Sequence, residues 1–286
     1  MNRQQDQSPR LPPDCPLIDT HCHLDMEAYA DDLAGAIQSA QSAGVTGIIT
    51  VGIDLDSTRQ AIAIARRFFR VWATAGIHPH HAAEAGKEHY GRLAALAADK
   101  ANKVVGYGEI GLDYARNYAP VEIQKAVFHA QLGLAKELGL PVIIHDRDAH
   151  EDTLQILAEN APFPAGGVMH CFSGDDALAG RVMDLGFYIS IPGIVTFPKS
   201  EMLQQIARTI PLNRMVLETD GPFLAPVPFR GRSNRPEYLV HTAKKIAELR
   251  DISLAEVARQ TSRNADSLFH LDLGGFAIPG GSTQPS

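Results

Sequence analysis

Short apolar runs alternate with longer amphipathic stretches along nearly the whole chain, and this alternation constrains the fold more than any other feature. The runs predict strands at Leu17–Thr20, Gly47–Val51, Val71–Ile77, Lys103–Glu109, Val142–His145, Gly167–His170, Phe187–Ile191 and Met215–Asp220. Stretches with helical periodicity lie between them, including Ala28–Ala43, Ser57–Phe68, Val121–Leu138 and Ala149–Asn160. Alternating strands and helices require a parallel sheet that helices cover. About eight such units, with no G-x-G-x-x-G motif after the first strand, predict a closed (β/α)8 TIM barrel rather than a doubly wound sheet.

The length of 286 residues agrees with a single barrel domain, which we expect at 16–271. The N-terminal segment 1–15 is polar and contains proline, so we expect it to be flexible. The C-terminal segment 272–286 is rich in Gly, Pro, Ser and Thr and is expected to be a disordered tail.

Composition and charge exclude several classes of protein. A run of about 18 apolar residues is absent, so we expect no membrane-spanning helix, and the N-terminus does not resemble a secretory signal. The three cysteines, Cys15, Cys22 and Cys171, lack C-x-x-C spacing and favour a reducing compartment, so we expect the cytoplasm. A formal net charge of −7 argues against a broad basic face that coats duplex nucleic acid, although it allows a few arginines at one mouth.

Potential metal ligands recur where the predicted strands end. His21 and His23 are separated by one residue, and because side chains alternate along a strand, both imidazoles point to the same side. A His-x-His pair alone is also typical of hydrogen-bonded histidines without a metal. Four later predicted strands finish on similar residue types, at Glu109, His145, His170 and Asp220.

In a TIM barrel the carboxyl ends of the strands meet at one rim, where catalytic groups stand. The candidate ligands would then converge and could hold two divalent ions. Glu109 is the preferred bridge between the ions because the neighbouring glycines leave room for a metal and a substrate. Two other interpretations stay open, in which Glu109 is a buried carboxylate paired with an arginine and Asp220 is a turn or helix-cap residue.

Five segments resemble the signatures of the TatD family of metal-dependent deoxyribonucleases, which have amidohydrolase-type barrels. They are DTHCH at 19–23, GIHPH at 76–80, GEIGLD at 108–113, HCFSG at 170–174 and ETDGP at 218–222. The resemblance extends from about Leu17 to Leu271, in the family's order. It implies a TIM barrel that hydrolyses DNA, often from the 3′ end of single strands. By position, it implies that His21, His23, Glu109 and Asp220 bind one metal, and Glu109, His145 and His170 the other.

This ligand set suits hydrolysis by a metal-activated water, with Glu109 and Asp220 as the catalytic carboxylates. Two ions lower the pKa of a water and stabilise charge on phosphoryl oxygens, so neither a serine nor a cysteine nucleophile is needed. We expect Asp220 to orient or deprotonate that water. Imidazole and carboxylate ligands suit Zn²⁺, Mn²⁺ and Mg²⁺, and the sequence does not choose among them, although Mg²⁺ alone is the poorest match to so many histidines.

Cationic side chains near the predicted mouth are candidates for binding the phosphates of DNA. The candidate substrate-binding residues are His80, Arg147, Arg230, Arg232 and Arg235. Arg147 points to the same side as His145 if that strand continues, and the other three arginines share the loop after the last strand. The alternative is a surface ion pair for Arg147 and a solvated charged face for the loop. The aromatic residues that could stack bases are Tyr114, Phe172, Phe223 and Phe229.

Two other functions remain open from the sequence. One is an amidohydrolase-type enzyme that acts on an amide, an ester or another phosphoester, and such enzymes often bridge two metals with a carboxylated lysine, whereas here the fourth strand presents Glu109. The other is a non-catalytic binding protein braced by metal, in which the coordination of the ion would be filled by protein. No obligate protein partner is evident.

Overall fold

The computed structural model describes residues 9, 11–12, 14–271 and 273. In this part of the chain eight strands form one parallel sheet, in the order of the sequence. They are β1 (Leu17–Cys22), β2 (Val45–Thr50), β3 (Val71–Ala75), β4 (Val104–Asp113), β5 (Val142–Arg147), β6 (Gly167–Met169), β7 (Tyr188–Ile191) and β8 (Met215–Leu217). Two thirds of the predicted flexible segment 1–15 and all of the predicted tail 272–286 except residue 273 lie outside the described residues, and both stay predictions.

Helices connect and cover the strands, as the alternating pattern predicted. They are α1 (Leu33–Ser42), α2 (Leu55–Arg67), α3 (Lys87–Ala98), α4 (Val121–Leu138), α5 (His150–Asn160), α6 (Asp176–Asp184), α7 (Glu201–Thr209), α8 (Leu239–Arg250) and α9 (Leu254–Phe269). Among the described residues, none of these helices combines the length and apolar character needed to cross a membrane. The TIM-barrel prediction is confirmed.

The barrel closes where the last strand meets the first. Cys22 and Gly221 form an isolated parallel bridge, and the His23 amide donates to the Gly221 carbonyl at 2.7 Å. The Thr20 hydroxyl donates to the Leu217 carbonyl at 2.9 Å, which ties β1 to β8 lower in the barrel. These bonds pair polar backbone groups that an open sheet would expose.

Several segment boundaries differ from the predictions, and two of these differences have a local reason. The helix predicted from Ala28 begins at Leu33, because the Asp32 side chain accepts a hydrogen bond from the Gly35 amide at 2.9 Å and caps the first turn. β4 was predicted to end at Glu109 but continues to Asp113. Glu109 therefore lies inside a strand and not at its end.

A bulge in β4 accounts for this position of Glu109. The pairing with β5 shifts between Tyr107 and Ile110, so the two residues between them stand outside the regular ladder. Gly108 has a φ of +158°, and a Cβ there would lie 2.6 Å from the Ile143 carbonyl oxygen. Only glycine fits this close approach, and the bulge frees the next side chain, that of Glu109, from the alternation of a regular strand.

Helix α9 covers the amino-terminal end of the barrel. Its Asn264 amide donates to the Met215 carbonyl at 2.6 Å, and its Ser262 hydroxyl donates to the Pro16 carbonyl at 2.8 Å. Its last residues pack with apolar side chains of the barrel interior, which include Ile18, Ile49, Trp72, Ile143, Val168 and Val216. This end of the barrel is therefore filled with apolar side chains, whereas the predicted metal ligands lie at the other end.

Replacing Phe269 of α9 with alanine tests this packing. Phe269 is 2% exposed, so its removal leaves a cavity, and we expect Phe269→Ala to lower the free energy of unfolding by about 3–5 kcal/mol. The measurement is urea denaturation followed by circular dichroism. Phe69→Ala is the matched control, since Phe69 is 73% exposed and should change stability by less than about 0.5 kcal/mol. Equal effects of the two substitutions would contradict close packing of α9 against the amino-terminal end of the barrel.

Candidate metal centre

His21 and His23 lie on one side of the barrel mouth, as strand alternation predicted. His21 is in β1 and His23 follows that strand, and they are 1% and 5% exposed. The Nε2 atom of His21 lies 3.3 Å from Oε2 of Glu109, and Nε2 of His23 lies 3.4 Å from Oδ1 of Asp220. Both rings therefore present a nitrogen to a carboxylate within the mouth.

Glu109 stands between two groups of imidazoles and is 3% exposed. Its Oε2 faces His21 and His23, whose Nε2 atoms lie at 3.3 and 3.9 Å. Its Oε1 faces His145, with Nδ1 at 2.7 Å, and His170, with Nε2 at 3.2 Å. Each oxygen of one carboxylate thus serves a different set of rings, which is the arrangement that a bridging ligand requires.

Asp220 reaches the same mouth from a loop. β8 ends at Leu217, so the predicted strand to Asp220 is too long by three residues. The chain turns at Asp220 with a φ of +55°, and its amide donates to the His21 carbonyl at 2.9 Å. The closure of the barrel therefore places Asp220 against β1.

The six predicted metal-binding side chains meet in this one region. They are His21, His23, Glu109, His145, His170 and Asp220. Three sets of donor atoms lie within 4.8 Å of one another: His21 with His23 and Asp220, His78 with Glu109 and His145, and His21 with His170 and Glu218. Both ring nitrogens of His21 and Nδ1 of His23 are buried without a hydrogen-bond partner. Buried lone pairs of this kind suit a divalent cation, because without one they carry a desolvation penalty.

Sequence reasoning did not assign three residues that belong to this cluster. His78 is 7% exposed, and its Nε2 lies 3.5 Å from Oε1 of Glu109. Asp113 and Glu218 are both fully buried carboxylates. All three lie in the segments 76–80, 108–113 and 218–222 that carried the family resemblance, which was the available signal.

Each of the two buried carboxylates holds one of the candidate ligands. Asp113 Oδ2 lies 3.2 Å from Nε2 of His145, the nitrogen that faces away from Glu109. Glu218 lies 3.2 Å from Nδ1 of His170 and accepts hydrogen bonds from the Ser190 hydroxyl at 2.6 Å and the Cys171 amide at 2.8 Å. A carboxylate behind a histidine fixes the orientation of its ring and leaves the opposite nitrogen for a metal.

The protonation states of Glu109 and His78 agree with a cation-binding site. Burial raises the pKa of Glu109, but the neighbouring imidazoles, with His170 first among them and a hydrogen bond to His145, outweigh burial and hold this pKa well below its usual value. Burial lowers the pKa of His78 to about 3. Glu109 is therefore an anion and His78 a neutral donor at pH 7, which are the forms that bind metals.

The predicted substrate-binding residues are not all alike. His80 packs against the cluster, with Nε2 at 2.8 Å from Oδ2 of Asp113, and its side chain is 28% exposed. β5 continues past His145 to Arg147, which was the condition for the predicted position of Arg147, and the Arg147 side chain is exposed. In the loop after β8, Arg230 lies over the ring of Phe197 at 4.6 Å, Arg235 forms an ion pair with Glu237 at 2.7 Å, and Arg232 is exposed.

This chain is similar to bacterial hydrolases over almost its full length. The sequence profile of the family described as "TatD related DNase" matches residues 18–270. The uncharacterized metal-dependent hydrolase YabD of Bacillus subtilis is 41% identical, over 90% of this chain and 100% of that protein. The 3′-5′ ssDNA/RNA exonuclease TatD of Erwinia tasmaniensis is 37% identical, over 89% of this chain and 100% of that protein. The crystal structure of the TatD homologue YJJV of Escherichia coli superposes with a TM-score of 0.85 at 32% identity, over 90% and 99% of the two chains.

The carboxylate behind His170 offers a test of metal binding that leaves the six predicted ligands unchanged. We expect Glu218→Gln to weaken metal binding by about 10–100-fold, because the ring of His170 loses the charge that orients it. Calorimetric titration of the metal-free protein with Zn²⁺ or Mn²⁺ measures this affinity. Glu248→Gln on the surface of α8 is the control, since the Glu248 side chain is 55% exposed. Equal affinities of the two variants would show that Glu218 does not support a metal ligand.

Proposed function

Because this chain belongs to the family of TatD-related DNases, we propose that it is a metal-dependent phosphodiesterase that removes nucleotides from the 3′ ends of single-stranded DNA. The relatives named 3′-5′ ssDNA/RNA exonuclease TatD, in two Erwinia species, support the direction and the strand preference. The observation that carries the proposal is the placement of Glu109, whose two oxygens face two separate groups of imidazoles.

In this proposal the mouth of the barrel would hold two divalent ions. His21, His23, Glu109 and Asp220 would hold one ion, and Glu109, His145 and His170 would hold the other. His78, 3.5 Å from Glu109, is a further donor on the side of the second ion. The many imidazoles favour Zn²⁺ or Mn²⁺ over Mg²⁺, which prefers oxygen ligands.

The metal ions supply a water activated near neutral pH and positive charge for the phosphoryl oxygens. The protein contributes the orientation of that water. Burial raises the pKa of Asp220, yet its hydrogen bond to His23 and the charges of nearby histidines lower this pKa below its usual value. The Asp220 carboxylate is thus ionised and able to accept a hydrogen bond that orients the attacking water, with its side chain 13% exposed at the mouth.

The rim supplies candidate contacts for the DNA backbone. Arg147, Arg230 and Arg232 are exposed and available for phosphates, whereas Arg235 already forms an ion pair with the Glu237 carboxylate. His80 is proposed to contact the leaving group, because it adjoins Asp113 and part of its side chain reaches solvent. The cluster thus combines an activated water, a carboxylate that orients it and phosphate-binding groups, as hydrolysis of a phosphodiester needs.

We also propose that the protein acts in the cytoplasm. Its cysteines at 15, 22 and 171 are free thiols, and Cys15 and Cys22 are buried. Free cysteines persist best in a reducing compartment.

Removing the charge of the bridging carboxylate tests the proposal directly. We expect Glu109→Gln to lower kcat on single-stranded DNA by about 1,000-fold or more, because neither ion is then held by a bridging anion. The assay follows 3′-labelled and 5′-labelled oligonucleotides, and metal content is measured in parallel. Early loss of a 3′ label with a ladder from the 5′ label is the expected pattern for the unaltered protein.

Two results would contradict the proposal. Hydrolysis of an amide or ester panel with no action on DNA would indicate an amidohydrolase-type activity. Tight metal binding without any turnover would indicate a non-catalytic binding protein. Glu248→Gln again serves as the control that should retain full activity.

The arginine loop after β8 provides a separate prediction on substrate affinity. We expect the double variant Arg230→Ala, Arg232→Ala to raise KM for DNA by about tenfold with little change in kcat, since these groups bind phosphates away from the reacting bond. Arg235→Ala should change KM less, because Glu237 already neutralises Arg235. An unchanged KM in the double variant would remove this loop from the substrate path.

A further inference from the structure

Two exposed aromatic side chains flank the candidate metal centre. Phe223 is 47% exposed, and its ring meets His23 edge to face with centroids 6.0 Å apart. Tyr118 is 64% exposed, and its ring meets His80 edge to face at 4.7 Å. Both rings touch the histidine cluster and still leave about half or more of their surface to solvent. Their exposed faces lie beside the candidate ligands and are accessible to a ligand bound there.

The two rings belong to loops that follow strands on opposite sides of the barrel. Phe223 follows β8, and Tyr118 follows β4. Strands four positions apart in a closed barrel of eight lie across the barrel from each other. The histidines connect the two rings through a row of ring contacts: His23 with His21 at 5.1 Å, His21 with His170 at 3.7 Å, His170 with His145 at 6.0 Å, and His145 with His80 at 6.3 Å. Phe223 and Tyr118 are therefore at the two ends of this row, with the candidate metal ligands between them.

The other three aromatic residues that the sequence suggested for base stacking are buried or half-buried. Phe172 is 2% exposed, and the Tyr114 hydroxyl donates to Asp152 at 2.6 Å. Phe229 is stacked on Tyr238 with centroids 3.9 Å apart and an interplanar angle of 8°. Of the four aromatic residues that the sequence suggested for base stacking, Phe223 is the one with an exposed ring, and Tyr118 adds a second that the sequence did not indicate.

We propose that Phe223 and Tyr118 each stack one nucleobase, on opposite sides of the phosphate held at the metal centre. This inference rests on the proposed nuclease function and assigns the specificity of the same site. An aromatic ring can stack on any of the bases, so this mode of binding tolerates different DNA sequences. The two bases must separate to reach rings on opposite sides of the mouth, which paired and stacked bases of a duplex do not do. The aromatic pair would therefore select single strands.

Substitutions at the two rings test the proposal without touching a metal ligand. We expect Phe223→Ala and Tyr118→Ala each to lower kcat/KM on single-stranded DNA about tenfold, since one base loses its stacking partner. Phe223→Trp and Tyr118→Phe keep an aromatic face and should stay within about threefold of the unaltered protein. Phe69→Ala is the control, because Phe69 is exposed but precedes β3, at the other end of the barrel. Metal content and thermal stability are measured for every variant and should not change.

Abasic substrates identify which base each ring contacts. Removing one base of the terminal dinucleotide should abolish the effect of Phe223→Ala, and removing the other should abolish the effect of Tyr118→Ala. If both effects disappear with the same abasic position, or if both alanine variants retain full kcat/KM, the proposal that the two rings stack different bases is wrong.

Equilibrium binding separates this inference from the proposed function. Fluorescence anisotropy with labelled single-stranded DNA measures Kd independently of turnover. A protein that binds DNA but does not cut it, and whose Kd rises about tenfold in Phe223→Ala, would retain the stacking proposal and lose the nuclease. If the protein cuts DNA and both alanine variants have unchanged Kd and kcat/KM, the proposed nuclease function is supported and the stacking proposal is wrong.

Discussion

A single buried carboxylate, that of Glu109, is the constraint on which the mouth of this barrel depends. An isolated charge at 3% exposure would be too costly to bury, so the fold surrounds it with imidazoles on both sides. Those rings are held in turn by carboxylates behind them, Asp113 for His145 and Glu218 for His170. The result is an alternation of anions and nitrogen donors that extends from the seam of the barrel to β5. Within this network both ring nitrogens of His21 and Nδ1 of His23 have no hydrogen-bond partner.

The seam between the first and last strands contributes to stability and to the site at the same time. The hydrogen bonds that join His21 and His23 to the loop after β8 satisfy backbone groups at the seam. The same bonds place Asp220 beside both histidines. A substitution that opened the seam would therefore displace Asp220 from the two histidines as well as disturb folding. Such a coupling is expected where catalytic groups are built on the strand ends of a closed sheet.

The rim around this polar centre carries two kinds of side chain, cationic and aromatic. Arginines at the ends of β5 and in the loop after β8 provide positive charge, whereas Phe223 and Tyr118 provide apolar faces. A nucleic acid strand has both kinds of group, with phosphates along its backbone and flat bases beside them. The net charge of −7 agrees with a protein that holds such a strand at one mouth and not over a broad surface.

The sequence by itself determined the barrel, its eight strands and the shared direction of His21 and His23, because these follow from periods of two and 3.6 residues along the chain. Together with the family resemblance, it also identified six side chains that the structure brings together. Only the tertiary structure decided that Glu109 lies in a bulge within β4, that Asp113 and Glu218 support histidines, and that Phe223 and Tyr118 remain exposed. Each of these depends on strand register and closure between residues far apart in the chain, such as His170 and Glu218. Local periodicity does not contain the distances across a closed barrel.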